Sequence, residues 1–197
     1  MEPLELAKKA LHAEADVLHQ LASQIGETFI QGAAMLAGCQ GHIIVSGVGT
    51  TGMVARRLAH LLCNVGCPAL FLHAGDSLHG SSGAIKSNDV LFLLSKTGET
   101  KETCDLASII SERGSPIITL TARSASSLAR LSTLVLLMDL PPVIDPYEGL
   151  MSVGSSLAMA AYCDALVYSV LELKGTPRET FVQGHPGGII SKLNNEH

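Results

Sequence analysis

Five short apolar runs constrain the fold of this chain more than any other feature. They are residues 43–46 (IIVS), 68–72 (PALFL), 89–95 (DVLFLLS), 116–121 (PIITLT) and 133–138 (TLVLLM). Each is too short for a helix of its own and is bounded by Gly, Pro, Ser or charged residues, the signature of buried strands. Helical patterns fall between or after them, at about 51–65, 99–113, 125–130 and 149–174. Parallel strands need crossover connections and are covered on both faces, so strands alternating with helices predict a parallel sheet. The expected fold is α/β: a doubly wound, three-layer αβα sandwich around a five-stranded parallel sheet. Residues 3 to about 38 read as two amphipathic helices with a break near Ile25-Gly26, an arm that packs across the domain or a neighbouring subunit. The expected organisation is one domain over 1–197, with the arm at 1–38, the α/β core at 39–174 and a tail at 175–197.

Composition narrows the partner. With 197 residues the chain is long enough to bury a sizeable core. The apolar share of 47% gives a mean hydropathy of +0.33, but Gly, Ser, His or charge interrupts the apolar runs before bilayer length, so no membrane span is expected. A net charge of -5, no Trp, three Tyr and four Phe argue against a nucleic-acid surface of basic patches and stacking rings. A small molecule is the expected partner. The N-terminal stretch MEPLELAKKALHAEA lacks the basic and apolar regions of a signal peptide, and a cytoplasmic location is expected. Cys39, Cys63, Cys67, Cys104 and Cys163 form an odd, dispersed set that reads as reduced thiols. His12 and His19, seven apart on the first helix, read as surface or interface residues.

In a parallel sheet, ligands bind beyond the carboxyl ends of the strands. The loop after the first strand is Ser46-Gly47-Val48-Gly49-Thr50-Thr51, and the loop after the third is Ser95-Lys96-Thr97-Gly98-Glu99-Thr100. Both are strings of hydroxyls and glycines just before a helix. In such a cradle, backbone N–H groups and Ser/Thr hydroxyls share the oxygens of a phosphate. Gly47-x-Gly49-x-x-Gly52 also matches a dinucleotide fingerprint. That reading needs an acid closing the second strand, where this chain has His73, with Asp76 only further into the loop. The spacing and the Lys-Ser/Thr pair of a nucleotide P-loop are missing as well. His73, Asp76 and His79 have the side-chain types of a metal site but only loose loop spacing, so no metal is expected.

The motifs VSGVGTTGMVARRLAH, FLHAGDSLHGSSGAI, LLSKTGETKET and GHPGG, in this order and at these intervals, resemble the sugar isomerase (SIS) domain family, and within it the arabinose 5-phosphate isomerase group. The resemblance covers essentially the whole chain. Members of that group often carry paired CBS modules after the isomerase domain, so this chain would be a short form. The resemblance implies an aldose–ketose isomerisation, ribulose 5-phosphate to arabinose 5-phosphate through an enediol, without redox cofactor or metal. It further implies Glu102, His79 and His185 as acid/base groups, phosphate held by Ser46, Ser95, Thr97 and Thr100 with the glycine-loop residues Gly47, Gly49, Thr50, Thr51 and Gly98, and a homotetramer with sites between subunits. Local structure offers other roles: Glu102 complements a helix dipole, and His79 orders its loop. Where the group has a lysine in the first glycine loop this chain has Thr50, and Lys96 and Lys86 are the candidate replacements. An acid of the group falls near Asp145 and Glu148 in VIDPYEGL. Two other readings stay open: a phosphosugar-binding module that senses without catalysing, and an isomerase of a different ketose phosphate.

Overall fold

The structure, a computed structural model, describes residues 2–141 and 144–187. Two helices, α1 (Pro3–Gln24) and α2 (Glu27–Ala37), precede five strands: β1 (Ile43–Ser46), β2 (Ala69–Phe71), β3 (Val90–Leu94), β4 (Ile117–Thr121) and β5 (Leu134–Leu137). All pair in parallel in the order β2-β1-β3-β4-β5, with Ile43 opposite Ala69 on one side and Val90 on the other. Between them run α3 (Thr50–Asn64), α4 (Ala74–Ser77), a single 3₁₀ turn at Ser81–Ala84, α5 (Lys101–Ser111) and α6 (Ser127–Leu131). The chain ends its described course in α7 (Gly154–Lys174) and α8 (Arg178–Gln183). Gly188, the last residue of GHPGG, and the tail beyond it lie outside the described residues.

Side chains alternate across the strands, and both faces are covered. Ile43, Val45, Phe92, Leu94, Ile118, Leu120 and Leu136 share one core with α2, α3 and α7. Ile44, Leu91, Leu93 and Ile117 share a second with Leu106, Ala107 and Ile110 of α5 and Leu128 of α6. The three-layer sandwich expected from the apolar runs is therefore the fold observed.

Three local differences have physical reasons. The helical pattern read from 149 begins only at Gly154: Gly149 itself has φ 93, and Asp145 Oδ1 accepts from Val153 N and Ser155 N, fixing the start of the helix there. Residues 73–88, which carry no helical pattern, contain the short α4, where His73 Nδ1 accepts from Gly75 N at 3.2 Å and caps the helix. In α1 only Val17 and Leu21 are buried, whereas Leu4, Leu6 and Leu11 project into solvent. The first half of the arm's apolar stripe thus has no cover among the described residues. By length and composition α7 would suit a membrane. Ala158, Met159, Tyr162, Cys163, Leu166 and Val170 nevertheless join the core, and Asp164 forms a two-point ion pair with Arg57 of α3. These are the contacts of a core helix.

Candidate active site

Strands β1 and β3 are neighbours, but α3 leaves β1 over one face of the sheet while α5 leaves β3 over the other. The chain therefore diverges above their carboxyl ends and opens a crevice at the switch point of the strand order. Ser46 closes β1 at this spot and Ser95 follows β3. By alternation with Val45 and Leu94, both side chains fall on the α5 face.

The β1 loop is shaped by its glycines. Gly49 takes φ 60 and ψ -130, a conformation that other residues rarely adopt, and so starts α3 abruptly. A Cβ on Gly52 would lie 2.9 Å from the Gly47 carbonyl oxygen, so turn and helix pack backbone on backbone. Thr51 Oγ1 donates to the Val48 carbonyl at 2.9 Å, and Thr50, the first helical residue, is exposed. Ser46 is fully buried, yet its Oγ has no hydrogen-bond partner among the described residues. Burying an unmet hydroxyl costs about 1–3 kcal/mol, and such a group in a folded protein calls for an explanation such as a ligand.

The β3 loop is a web of hydroxyls. Ser95 Oγ accepts from Gly98 N at 3.0 Å and shares a hydrogen with Thr100 Oγ1 at 3.1 Å. Thr97 Oγ1 accepts from Glu99 N at 3.3 Å. Each hydroxyl has one hydrogen to give, so Thr97 and one member of the Ser95–Thr100 pair retain a donor for an anion. The Lys101 and Glu102 N–H groups precede the first bonded one of α5, Thr103 N on the Thr100 carbonyl at 3.1 Å, and add the dipole of the helix. Glu99 Oε1 accepts from Ser127 N at 2.8 Å, and this bond with the Ser127 side chain holds its carboxyl below the ordinary range.

The remaining sequence candidates are distributed unevenly. Glu102, half-buried, is in the first turn of α5 directly after the cradle. His79 is exposed just beyond α4, on the loop that follows β2. His185 is elsewhere. Its Nδ1 lies 2.7 Å from the Phe181 carbonyl and its ring rests on Phe181 at 4.1 Å. Thr180 packs beside Gly66, and Thr176 Oγ1 donates to the Val65 carbonyl at 2.8 Å. This anchors α8 to the far end of α3, about 22 Å of helix from the crevice. Within one chain, then, the crevice gathers Ser46, the glycine loop, the Ser/Thr loop and Glu102, and leaves His185 out.

Neither lysine considered as a replacement at Thr50 is free. Lys86 Nζ donates to the Gly83 carbonyl at 3.1 Å. Lys96 Nζ pairs with Asp145 Oδ2 at 2.6 Å and also reaches the Gly149 carbonyl at 3.1 Å. Burial pushes the Asp145 carboxyl up, but hydrogen bonds from Lys96 and Ser155 and the Lys96 charge outweigh burial and hold it below the ordinary carboxylate range. A residue not singled out from the sequence is Arg123, which follows β4 and lines a groove of about 580 Å³ with Thr97, Glu99, Ser124 and Ser126. Its only sequence signal is its place just past an apolar strand. Among the described residues no three His, Cys, Asp or Glu side chains converge as metal ligands.

Fold and crevice together define an α/β protein that gathers hydroxyls and a helix N-terminus at the switch point of an open parallel sheet. The chain belongs to the SIS domain family, whose signature matches residues 35–169. It is 29% identical over 188 residues to the arabinose 5-phosphate isomerase KdsD of Escherichia coli (strain K12), covering 95% of this chain and 57% of that protein. It is also 29% identical over 196 residues to the arabinose 5-phosphate isomerase GutQ of Salmonella typhi, covering 98% and 61%. The chain thus spans about three fifths of the length of these curated relatives. An Escherichia coli CFT073 protein solved in complex with arabinose 5-phosphate superposes with a TM-score of 0.88 at 29% identity, over 94% of this chain and 100% of that chain.

Proposed function

We propose that this chain is a phosphosugar aldose–ketose isomerase that interconverts ribulose 5-phosphate and arabinose 5-phosphate through an enediol. The observation that carries the proposal is the buried, unmet Ser46 hydroxyl in a crevice flanked by two helix N-termini and a Ser/Thr loop. The phosphate sits there, held by Ser46, Ser95, Thr97 and Thr100 and by the backbone around Gly47, Gly49, Thr50, Thr51 and Gly98. Glu102, in the first turn of α5 directly after the cradle, removes the proton beside the carbonyl and returns it to the neighbouring carbon. His79 and His185 serve oxyanion and hydroxyl proton transfers.

His185 comes from a second copy of the chain. A distance of about a helix length within one chain supports this, as do the uncovered Leu4, Leu6 and Leu11 of the arm. An apolar groove of about 590 Å³ between α3, α7 and α8, with Tyr168, Leu171 and Phe181 on its walls, points the same way. The chain acts as one SIS domain in a homotetramer, the state its family resemblance implies, and works in the cytoplasm.

A second reading, a sensor that binds without turnover, draws on Thr50 and on the engagement of Lys96 by Asp145. Incubation with a panel of ketopentose and ketohexose phosphates in deuterated water, followed by NMR, separates the two. The proposal expects deuterium beside the carbonyl, fastest with ribulose 5-phosphate; binding without exchange selects the sensor, and exchange with another sugar replaces the substrate. Glu102→Gln and His185→Ala should each slow exchange about 100-fold or more. Co-expressing the two inactive variants should restore activity, because one hybrid site then has both residues; no recovery would overturn the contribution of His185 by a second copy of the chain.

A further inference from the structure

We propose that the Lys96–Asp145 pair is a positioning device for the crevice: it withholds the lysine of the Ser/Thr loop from the phosphate and fixes the Asp145–Val153 loop as a wall of the pocket. The proposal rests on the phosphosugar reading of the site.

Lys96 stands between Ser95 and Thr97, where a lysine is expected to reach an anion. Its geometry points elsewhere. The Lys96 carbonyl accepts from Ala122 N at 3.0 Å and from Thr121 Oγ1 at 3.2 Å, so the side chain leaves a pinned backbone. The ammonium then bridges Asp145 Oδ2 and the Gly149 carbonyl, using two of its three N–H groups. Asp145 is equally committed. Its side chain is fully buried, and Oδ1 accepts from Val153 N and Ser155 N, both at 2.9 Å, where α7 begins. Rotating either side chain would leave buried partners unmet.

The segment held in this way is unusual. Tyr147 and Glu148 have φ of 53 and 56, followed by Gly149 at 93. Two adjacent bulky residues in the left-handed region are rare, and such a conformation persists where the surroundings over-determine it. Here the surroundings are the turn bonds from Gly149 N to the Asp145 carbonyl (3.3 Å) and Met151 N to the Pro146 carbonyl (3.3 Å), closed by Lys96 on Gly149. A tip that exposes Tyr147 and Glu148 is thereby tied by one ammonium to the loop that cradles the phosphate. The phosphate is left to hydroxyls and N–H dipoles, and the tip is set against the sugar.

The test uses the full chain and the variants Lys96→Met, Asp145→Asn, the double variant and Lys96→Arg. Asn at 145 keeps an oxygen for Val153 N and Ser155 N but turns an amide NH2 toward the Lys96 ammonium in place of the accepting Oδ2, and Met at 96 keeps the apolar stem. Arabinose 5-phosphate and inorganic phosphate are titrated by calorimetry, and amide hydrogen exchange is followed in the free proteins. Each single variant should weaken arabinose 5-phosphate binding about tenfold, and the double no more than the worse single, because the pair acts as a unit. Lys96→Arg should restore most of the affinity. Inorganic phosphate should bind the wild type, Lys96→Met and the double variant within a factor of about three and Asp145→Asn, whose lysine is released, no more weakly, and faster exchange should be confined to 145–153 and the start of α7. Lys96→Met binding inorganic phosphate about tenfold more weakly than the wild type would make Lys96 a direct phosphate contact and overturn the proposal. Wild-type affinity for arabinose 5-phosphate in both single variants would overturn it as well. If the wild type binds neither ligand, the phosphosugar reading fails; the device is then judged by exchange alone, and unchanged protection at 145–153 in both variants overturns it.

Discussion

The loop after β3 satisfies its own polar atoms, whereas the loop after β1 leaves one buried and unmet. Ser95, Thr97 and Thr100 accept from backbone N–H groups or share hydrogens with one another, and Lys96 is tied to Asp145. Across the crevice, Thr51 bonds only within its own turn, and Ser46 Oγ has no partner among the described residues. The β3 loop therefore holds its shape before any ligand arrives, in the manner of a preorganised binding site. The β1 loop brings backbone and one hydroxyl close to the same point and leaves that hydroxyl without a partner among the described residues. Substitutions in the β3 loop should register mainly as lost stability, and in the β1 loop as lost affinity.

The harshest break of this contrast is Gly98→Ala. Gly98 has φ +66, and a Cβ there would lie 2.2 Å from Ser126 Oγ and 2.5 Å from Ser126 Cβ. Strain and overlap act together and should cost about 3 kcal/mol or more, read as a lower midpoint in urea. Because the Ser/Thr web turns about this residue, ligand binding should fall with stability. A variant as stable as the wild type would show that the loop is looser than its hydrogen bonds imply.

Smaller, and dependent on pH, is the effect of Asp145→Asn, which removes the tie between the β3 loop and the start of α7. Loss of a charge-assisted hydrogen bond should cost about 2 kcal/mol near neutral pH. The folded-state pKa of Asp145 lies below its ordinary value of 3.8, so its contribution is present above that value and lost as pH falls through the lower folded one. The stability gap between wild type and variant should be flat from about pH 8 to about pH 5 and close below about pH 3.8. A gap that widened on acidification would mean that the carboxylate is not what stabilises the loop.

This pair also marks where sequence reading stops. The strands are legible because five apolar runs are buried on both faces, and the Ser/Thr loop because hydroxyls and glycines before a helix have few other uses. Thr50 stands out as a missing cation. That Lys96 is engaged by Asp145, 49 positions away, depends on a loop whose left-handed residues, Tyr147 and Glu148, are of types that give no warning of it. The start of α7 is misread for the same reason: LMSV reads as helix until Asp145 caps the backbone at Val153 and Ser155. The Pro-Gly turn after His185 marks it as a residue held at the surface. Its stacking on Phe181 and its distance from the cradle follow from the docking of α8 on α3, which no local pattern encodes.

The finest test compares two serines of the same crevice. Ser95→Ala removes the acceptor of Gly98 N and the partner of Thr100, leaving a buried N–H unmet, and should cost about 1–2 kcal/mol. Ser46→Ala removes a hydroxyl without a partner in the free chain, so folding should be unchanged or slightly stabilised, by no more than about 1 kcal/mol. Affinity should rank the other way: Ser46→Ala should weaken arabinose 5-phosphate about tenfold, the size of one hydrogen bond to a charged group, measured by calorimetry beside the urea melts. If Ser46→Ala were destabilising with affinity intact, the hydroxyl would be serving the fold, and the crevice would lose the feature that marks it as a site for an anion. Stability kept while affinity falls assigns the cost of burying Ser46 to the ligand it awaits.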